Sequence, residues 1–233
     1  MIRSKLFTIF FFGGVIIISI LFLPSLILPQ NIVLFGGKLF GYWSSFCLKI
    51  FLNTKIKIKG KENIITDSKF FIASSHQSMF ETFFLQTIFN SPKFILKHEL
   101  LKIPIFGWYL SKIGSISVNR NKITRDNLGL LEKIKKAVIN SNRPLIIFPQ
   151  GTRVLPKDKI PFKKGVGKIY KELRIKCQPV AINSGTVWPK EGRLTQNRTI
   201  TISILKAVEP GLDPTEFLEL IEKKIYFELD NII

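Results

Sequence analysis

The run from Leu6 to Leu28, LFTIFFFGGVIIISILFLPSLIL, carries no charged residue. A helix of about 20 apolar residues, rising 1.5 Å per residue, covers the roughly 30 Å hydrocarbon core of a bilayer. A segment of this kind has to be sunk in lipid or covered by a large core, so it constrains everything that follows it. A cleavable secretory signal has a shorter apolar centre, about 7–15 residues, and small residues at its end. Here Pro24 and Pro29 stand in that place, so the expectation is a retained anchor. A second apolar stretch, Ile32 to Leu52, is interrupted by Gly36, Gly37, Lys38, Gly41 and Lys49, too often to predict an independent span. Arg3 and Lys5 precede the pair, and Lys49, Lys55, Lys57, Lys59 and Lys61 follow it. Basic flanks favour the cytoplasmic side, which places both ends there. A membrane-embedded helical hairpin meets this condition. So does a second helix lying in the interface with Lys38 snorkelling to water.

Composition narrows the class of the remainder. Hydrophobic residues make up 46% of the chain and charged residues 22%, which excludes a disordered chain, a collagen-like repeat and a polytopic membrane protein. Lys and Arg number 35 against 16 Asp and Glu, a formal net charge of +19. An excess of this size points to polyanionic partners: nucleic acid, an anionic membrane surface or a phosphorylated substrate. The plainer alternative is a surface filled with Lys, Asn and Ile by compositional bias. Two cysteines, Cys47 and Cys177, cannot make a disulfide framework or a zinc site and fit a reducing compartment.

From Asn53 the pattern changes, giving an expected division into a membrane anchor over 1–52 and a soluble domain over 53–233. Lys55 to Lys59 alternates strictly and reads as a strand with one wet face. Short apolar or β-branched runs follow at Lys69–Ala73, Lys93–Leu96, Ile113–Val118, Pro144–Phe148, Gln178–Ile182 and Thr199–Leu205. Between them lie stretches with helical spacing, at Ser78–Phe89, Glu99–Ser111, Ile123–Asn140, Lys163–Leu173 and Asp213–Leu229. Alternating strands and helices predict an α/β class with a mixed, largely parallel sheet flanked by helices. In such sheets ligands bind beyond the carboxyl ends of strands, so the loops after strands are where chemistry belongs.

Two of those loops carry suitable residues. Ser74-Ser75-His76-Gln77-Ser78-Met79-Phe80-Glu81 follows the KFFIA strand. On one continuous helix His76 and Glu81 would lie about 140° apart and could not meet. With His76 in the loop and Glu81 in the first helical turn, the carboxylate can reach back to the imidazole, and its charge suits the positive helix end. The same residues also form a capping box, Ser78-Met79-Phe80-Glu81, and the two roles are compatible. The second loop, Phe148-Pro149-Gln150-Gly151-Thr152-Arg153, follows the PLIIF strand. Pro and Gly make a tight turn, converging N–H groups can cradle an anion, and Arg153 adds a fork suited to phosphate. An ordinary turn with an exposed arginine is the plain alternative.

A His-Gln-Ser-x-x-acid loop followed farther along by Phe-Pro-x-Gly-Thr-Arg resembles the glycerolipid acyltransferase family, in particular its bacterial 1-acylglycerol-3-phosphate acyltransferases. The resemblance runs from about Lys57 to Ile204. Three more blocks fit in order: Lys97-His98-Glu99-Leu100, Gly114 to Arg120, and Pro179 to Gly185. Two positions depart from the family pattern, which usually has Asp at Glu81 and Glu at Gln150. Glutamate keeps the charge and adds a methylene. Glutamine loses the charge, so no chemical role is assigned to Gln150.

The resemblance implies transfer of a fatty acyl group from acyl-CoA or acyl carrier protein to the free hydroxyl of 1-acyl-glycerol-3-phosphate, making phosphatidic acid. It implies His76 as the general base and Glu81 as its partner, without a protein nucleophile. It places the acceptor phosphate on Gly151, Thr152 and Arg153, with Lys97 and Arg120 as further positive groups. His98 is expected to be a surface or structural residue. No metal or other cofactor is implied. The expected partners are lysophosphatidic acid, the thioester donor and an anionic membrane surface, with no nucleic acid. The expected location is the cytoplasmic membrane, with the active site facing the cytoplasm. Two alternatives stay open: the same chemistry on another lysolipid or an amino-lipid, and a non-catalytic membrane-tethered basic protein that binds lipid or nucleic acid.

Overall fold

The computed structural model describes residues 2–118 and 128–233. It divides into two compact units, one built from residues 1–47 and 83–145, the other from 48–82 and 146–233. The architecture is α/β with a mixed, largely parallel sheet and an apolar helical pair at the amino terminus.

The second unit carries β1 (Lys55–Lys59), β2 (Phe70–Ser74), β5 (Leu145–Ile147, its first residue counted with the other unit), β6 (Lys176–Ile182) and β7 (Thr199–Ile204), in the order β1-β7-β6-β2-β5. β1 runs parallel to β7 and β2 parallel to β6, while β6 and β7 are antiparallel. The strict alternation of β1 fits its place at the sheet edge, where its lysines face water. β2 and β6 are buried along almost their whole length and read as continuous apolar runs for that reason. Helices α6 (Gly165–Leu173) and α7 (Pro214–Ile232) pack together here. Tyr170 and Phe217 stack with ring centroids 3.7 Å apart, and Phe71 of β2 meets both edge-on. α7 starts where Asp213 caps the Thr215 N–H at 2.8 Å with Pro214 at the first helical position.

The first unit holds α1 (Ile2–Leu21), α2 (from Gln30; its end, to Leu52, belongs to the second unit), the parallel pair β3 (Lys93–Lys97) and β4 (Ile116–Val118), α4 (Phe106–Lys112) and α5 (Leu128–Ile139). α3 (Phe80–Ile88) begins in the second unit and ends in this one. The glycines that interrupt the second apolar stretch do not interrupt α2, which is continuous. A Cβ at Gly41 would lie 2.7 Å from the Phe83 carbonyl oxygen of α3, so a larger residue there would force the two helices apart. Interior glycine costs about 1 kcal/mol in a helix, and close contact is what it gains here. α1 buries Phe7 and Phe11, and Phe11 packs on Phe83 at 5.8 Å. Its opposite side leaves Ile9, Ile16, Ile17, Ile20 and Leu21 more than half exposed. Water does not tolerate an apolar strip of that length well, and α1 is long and apolar enough to cross a membrane. This fits membrane association.

Several boundaries differ from the sequence expectation. The helix expected over Glu99–Ser111 is a 3-10 turn at His98–Lys102 followed by α4. Pro104 drives Ile103 into the extended region, and Ile105 takes φ +64, which breaks the helix. The strand expected from Ile113 begins only at Ile116, because Ile113 closes α4 and Gly114 turns the chain at φ +74. Ser78 precedes α3 as its cap rather than starting it.

Candidate active site

The loop after β2 is fastened before its histidine appears. The Ser75 N–H donates to the Val180 carbonyl at 3.0 Å, and the Ser75 hydroxyl accepts from the Ile182 N–H at 2.8 Å, both on β6. His76 follows, half-buried, and Glu81 sits in the first turn of α3 with no exposed surface. His76 Nδ1 lies 3.1 Å from Glu81 Oε1. The same oxygen accepts from the Gln77 N–H at 2.5 Å and the Ser78 N–H at 2.7 Å. The Ser78 hydroxyl accepts from the Phe80 N–H at 3.1 Å, so the helix is capped from both directions. Capping and contact with the imidazole are one arrangement, made by one carboxylate oxygen. With Nδ1–H donating to a carboxylate, Nε2 is the ring nitrogen left to accept a proton.

The second loop lies against the first because β5 is the neighbour of β2. Gly151 N–H donates to the Phe148 carbonyl at 2.9 Å, closing a tight turn with Pro149 at its second position and Gly151 at φ +72. Three contacts lace the loops together. The Phe148 ring stacks on the His76 imidazole, centroids 4.0 Å apart and planes 17° apart. The His76 N–H donates to Gln150 Oε1 at 3.2 Å, and the Val154 N–H donates to the His76 carbonyl at 2.9 Å. Gly151, Thr152 and Arg153 therefore occupy the short span between two anchors on the histidine's own backbone. Thr152 is exposed, and Gly151 and Arg153 are half-buried.

The remaining expected residues fall elsewhere. Lys97 ends β3 in the other unit, exposed, and pairs with Glu99 at 3.3 Å. His98 is exposed there, with Nδ1 3.4 Å from the Ser117 hydroxyl. Arg120 lies outside the described residues. Among the described residues no group of three His, Cys, Asp or Glu is placed to hold a metal ion. Cys177 is fully buried on β6, and burial above all pushes its thiol well above the usual range.

Four contributors were not read from the sequence. Phe148 supplies a face for the imidazole, and Gln150, unassigned because it had lost its charge, accepts from the histidine's N–H. A buried neutral amide is cheaper to desolvate than a buried carboxylate, which suits this position. Gln77 Oε1 accepts from the Gly185 N–H at 3.1 Å, and the buried Ser184 hydroxyl donates to Glu81 Oε2 at 2.7 Å. The Pro179–Gly185 block was visible in the sequence, but its contact with the histidine loop depends on β6 lying beside β2.

The His76–Glu81 pair and the Gly151–Arg153 turn thus lie together at the carboxyl ends of neighbouring strands of an α/β sheet, where enzymes of this architecture carry their chemistry. The family described as Acyltransferase matches residues 55–183, more than half of the chain, and the protein belongs to that family and is an acyltransferase. Its relatives include a 1-acyl-sn-glycerol-3-phosphate acyltransferase of Pseudomonas aeruginosa, 31% identical over 182 residues, covering 76% of this chain and 70% of that one. Another of the same name, from Helicobacter pylori, is 31% identical over 196 residues, covering 79% and 81%. The crystal structure of the 1-acyl-sn-glycerophosphate (LPA) acyltransferase PlsC from Thermotoga maritima has the same fold, with a TM-score of 0.81 over 99% of this chain and 97% of that chain at 22% identity.

Proposed function

We propose that the protein transfers a fatty acyl group from acyl-CoA or acyl carrier protein to the free hydroxyl of 1-acyl-glycerol-3-phosphate, making phosphatidic acid. The observation that carries this reading is the His76–Glu81 pair laced to the Gly151–Arg153 turn. The names of the relatives support the choice of acceptor. The acceptor hydroxyl gives its proton to His76 Nε2 as its oxygen attacks the thioester carbonyl. The tetrahedral intermediate collapses, the carbon–sulfur bond breaks, and the departing thiolate takes the proton back from the imidazolium. Glu81, desolvated and negative, stabilises that imidazolium. General-base catalysis of this kind supplies about 10²–10⁴-fold. Gly151, Thr152 and Arg153 bind the acceptor phosphate.

In this reading residues 1–52 are the attachment to the cytoplasmic membrane and the remainder works on its cytoplasmic face. The acceptor keeps its acyl chain in the bilayer while the thioester arrives from solution. The excess of basic residues draws the protein to anionic lipid, at about 1 kcal/mol for each well-placed Lys or Arg. The test offers purified protein lysophosphatidate, glycerol 3-phosphate and neutral lysolipids, each with both donor types. Preference for a neutral lysolipid would replace lysophosphatidate as the acceptor, and no transfer to any of them would remove the enzymatic reading of this site.

Two variants probe its parts. Arg153→Ala is expected to raise KM for lysophosphatidate about 10- to 150-fold, the equivalent of a lost charged contact of about 1.5–3 kcal/mol, with little change in KM for the thioester. Equal losses for both substrates would take Arg153 off the phosphate. Glutamine at Ile9, Ile16 and Ile20 together, all on the exposed side of α1, is expected to move the protein from the pellet to the supernatant when zwitterionic vesicles, which offer the basic residues no charge to bind, are sedimented. Each buried isoleucine contributes about 1.5–3 kcal/mol, so three decide the partition. Undiminished pelleting would show that this face is not the one in lipid.

A further inference from the structure

We propose that Ser184 is a positioning residue for acyl transfer, holding Glu81 in the rotation that aims one carboxylate oxygen at His76. The proposal rests on the reading of His76 as the base. Glu81 Oε1 is crowded, with the imidazole and two backbone N–H groups on it, while Oε2 takes the Ser184 hydroxyl at 2.7 Å. The terminal torsion of a glutamate is broad, so contacts on one oxygen leave the carboxylate free to tilt. A donor on the second oxygen removes that freedom. The glutamate side chain has three rotatable bonds, so its carboxylate is held in one orientation only where both oxygens are anchored.

Ser184 is well placed to act as a fixed post. It stands two residues past the end of β6, opening a 3-10 turn, and its carbonyl accepts from the Val187 and Trp188 N–H groups at 3.1 and 2.9 Å. Asn183 beside it accepts from the Thr201 N–H at 2.7 Å. The next residue, Gly185, donates to Gln77 Oε1, and the Gln77 N–H in turn donates to Glu81 Oε1. The strand end thus grips the histidine loop at two points, and the Ser184 contact is the one that falls on the carboxylate. Supports of this kind hold a site within the few tenths of an ångström that catalysis requires.

The experiment compares Ser184→Ala, Ser184→Cys and Ser184→Thr in the full-length protein, with His76→Ala in the same assay. The chain has two histidines, so ¹⁵N spectra of the imidazoles are assignable with one His98→Gln variant. Ser184→Ala is expected to lower kcat about 10-fold, with both KM values within about twofold, since a charge-assisted contact is lost while neither substrate is touched. The His76 ring is expected to move from a single Nδ1–H tautomer toward a mixture. Threonine, which keeps the hydroxyl, retains both properties, and cysteine, a weak donor of similar volume, falls between and carries the test if alanine does not fold. Wild-type kcat and tautomer in Ser184→Ala would overturn the proposal. A fall in kcat and Tm with an unchanged ring spectrum would do so too, because Ser184 would then merely tie two loops. If His76→Ala itself keeps turnover, the base reading fails; if that variant is inactive and Ser184→Ala is normal, only the present inference fails.

Discussion

Alanine at His76 is expected to lower kcat by about 10²–10⁴-fold, the range that a positioned general base supplies, while the folded protein still binds vesicles. The structure explains why the fold should withstand the change. Glu81 loses one donor but keeps the Gln77 and Ser78 N–H groups and the Ser184 hydroxyl, so its buried charge is not stranded. The backbone contacts of residue 76 with Gln150 and Val154 do not involve the ring and survive. What is lost is the contact with Glu81 and the stack on Phe148, the stack worth about 0.5–1.5 kcal/mol. In a chain of this size that lowers Tm by only a few degrees. The check is kcat, both KM values and Tm measured on one preparation. Turnover within a few-fold of wild type in a folded variant would remove His76 from the mechanism.

The parts of this fold that were legible in the sequence are those settled by neighbours along the chain. β1 announces itself by alternation, and the buried β2 and β6 by continuous apolar runs. The meeting of His76 and Glu81 was also local, since it followed from placing a helix start between them. What remained open was whether Glu81 capped the helix or met the imidazole, and spacing could not decide because one oxygen does both. The split at Pro104 was available as well, since the residue before proline avoids the helical region; the apolar spacing across it was the stronger pattern and concealed the break. Ser184, Gln77 and Phe148 could not be found this way. Their roles depend on β6 and β5 flanking β2, and strand order is not written in any local pattern. The glycines of α2 were legible only as weakening an independent span; their purpose was hidden for a related reason, since at Gly41 the α3 backbone lies where a side chain would be.

Glutamine and aspartate at position 81 are expected to fail in opposite ways, because one carboxylate both caps α3 and partners the imidazole. In Glu81→Gln the amide oxygen can stay on the Gln77 and Ser78 N–H groups, and the NH₂ can face Ser184, whose hydroxyl turns to accept. The cap survives and Tm should hold. The charge is gone, however, and the imidazolium that forms as the acceptor loses its proton has no counter-ion. Neutralising the carboxylate behind a catalytic histidine costs up to about 10⁴-fold in kcat in the serine-protease triad, and a loss of about 10²–10⁴-fold is expected here. In Glu81→Asp the charge remains on a side chain one methylene shorter, which cannot reach its four donors from the same backbone position. If it keeps the imidazole it gives up part of the cap, at about 1 kcal/mol, or a fall of about 2–4 °C in Tm. Turnover should fall only about 10-fold, since a displaced charge still stabilises imidazolium. Glutamine should therefore be the stable, inactive variant and aspartate the less stable, active one. If Glu81→Gln turns over within a few-fold of wild type while Glu81→Asp loses both Tm and kcat, the residue is a helix cap, and the imidazole at 3.1 Å is only its neighbour.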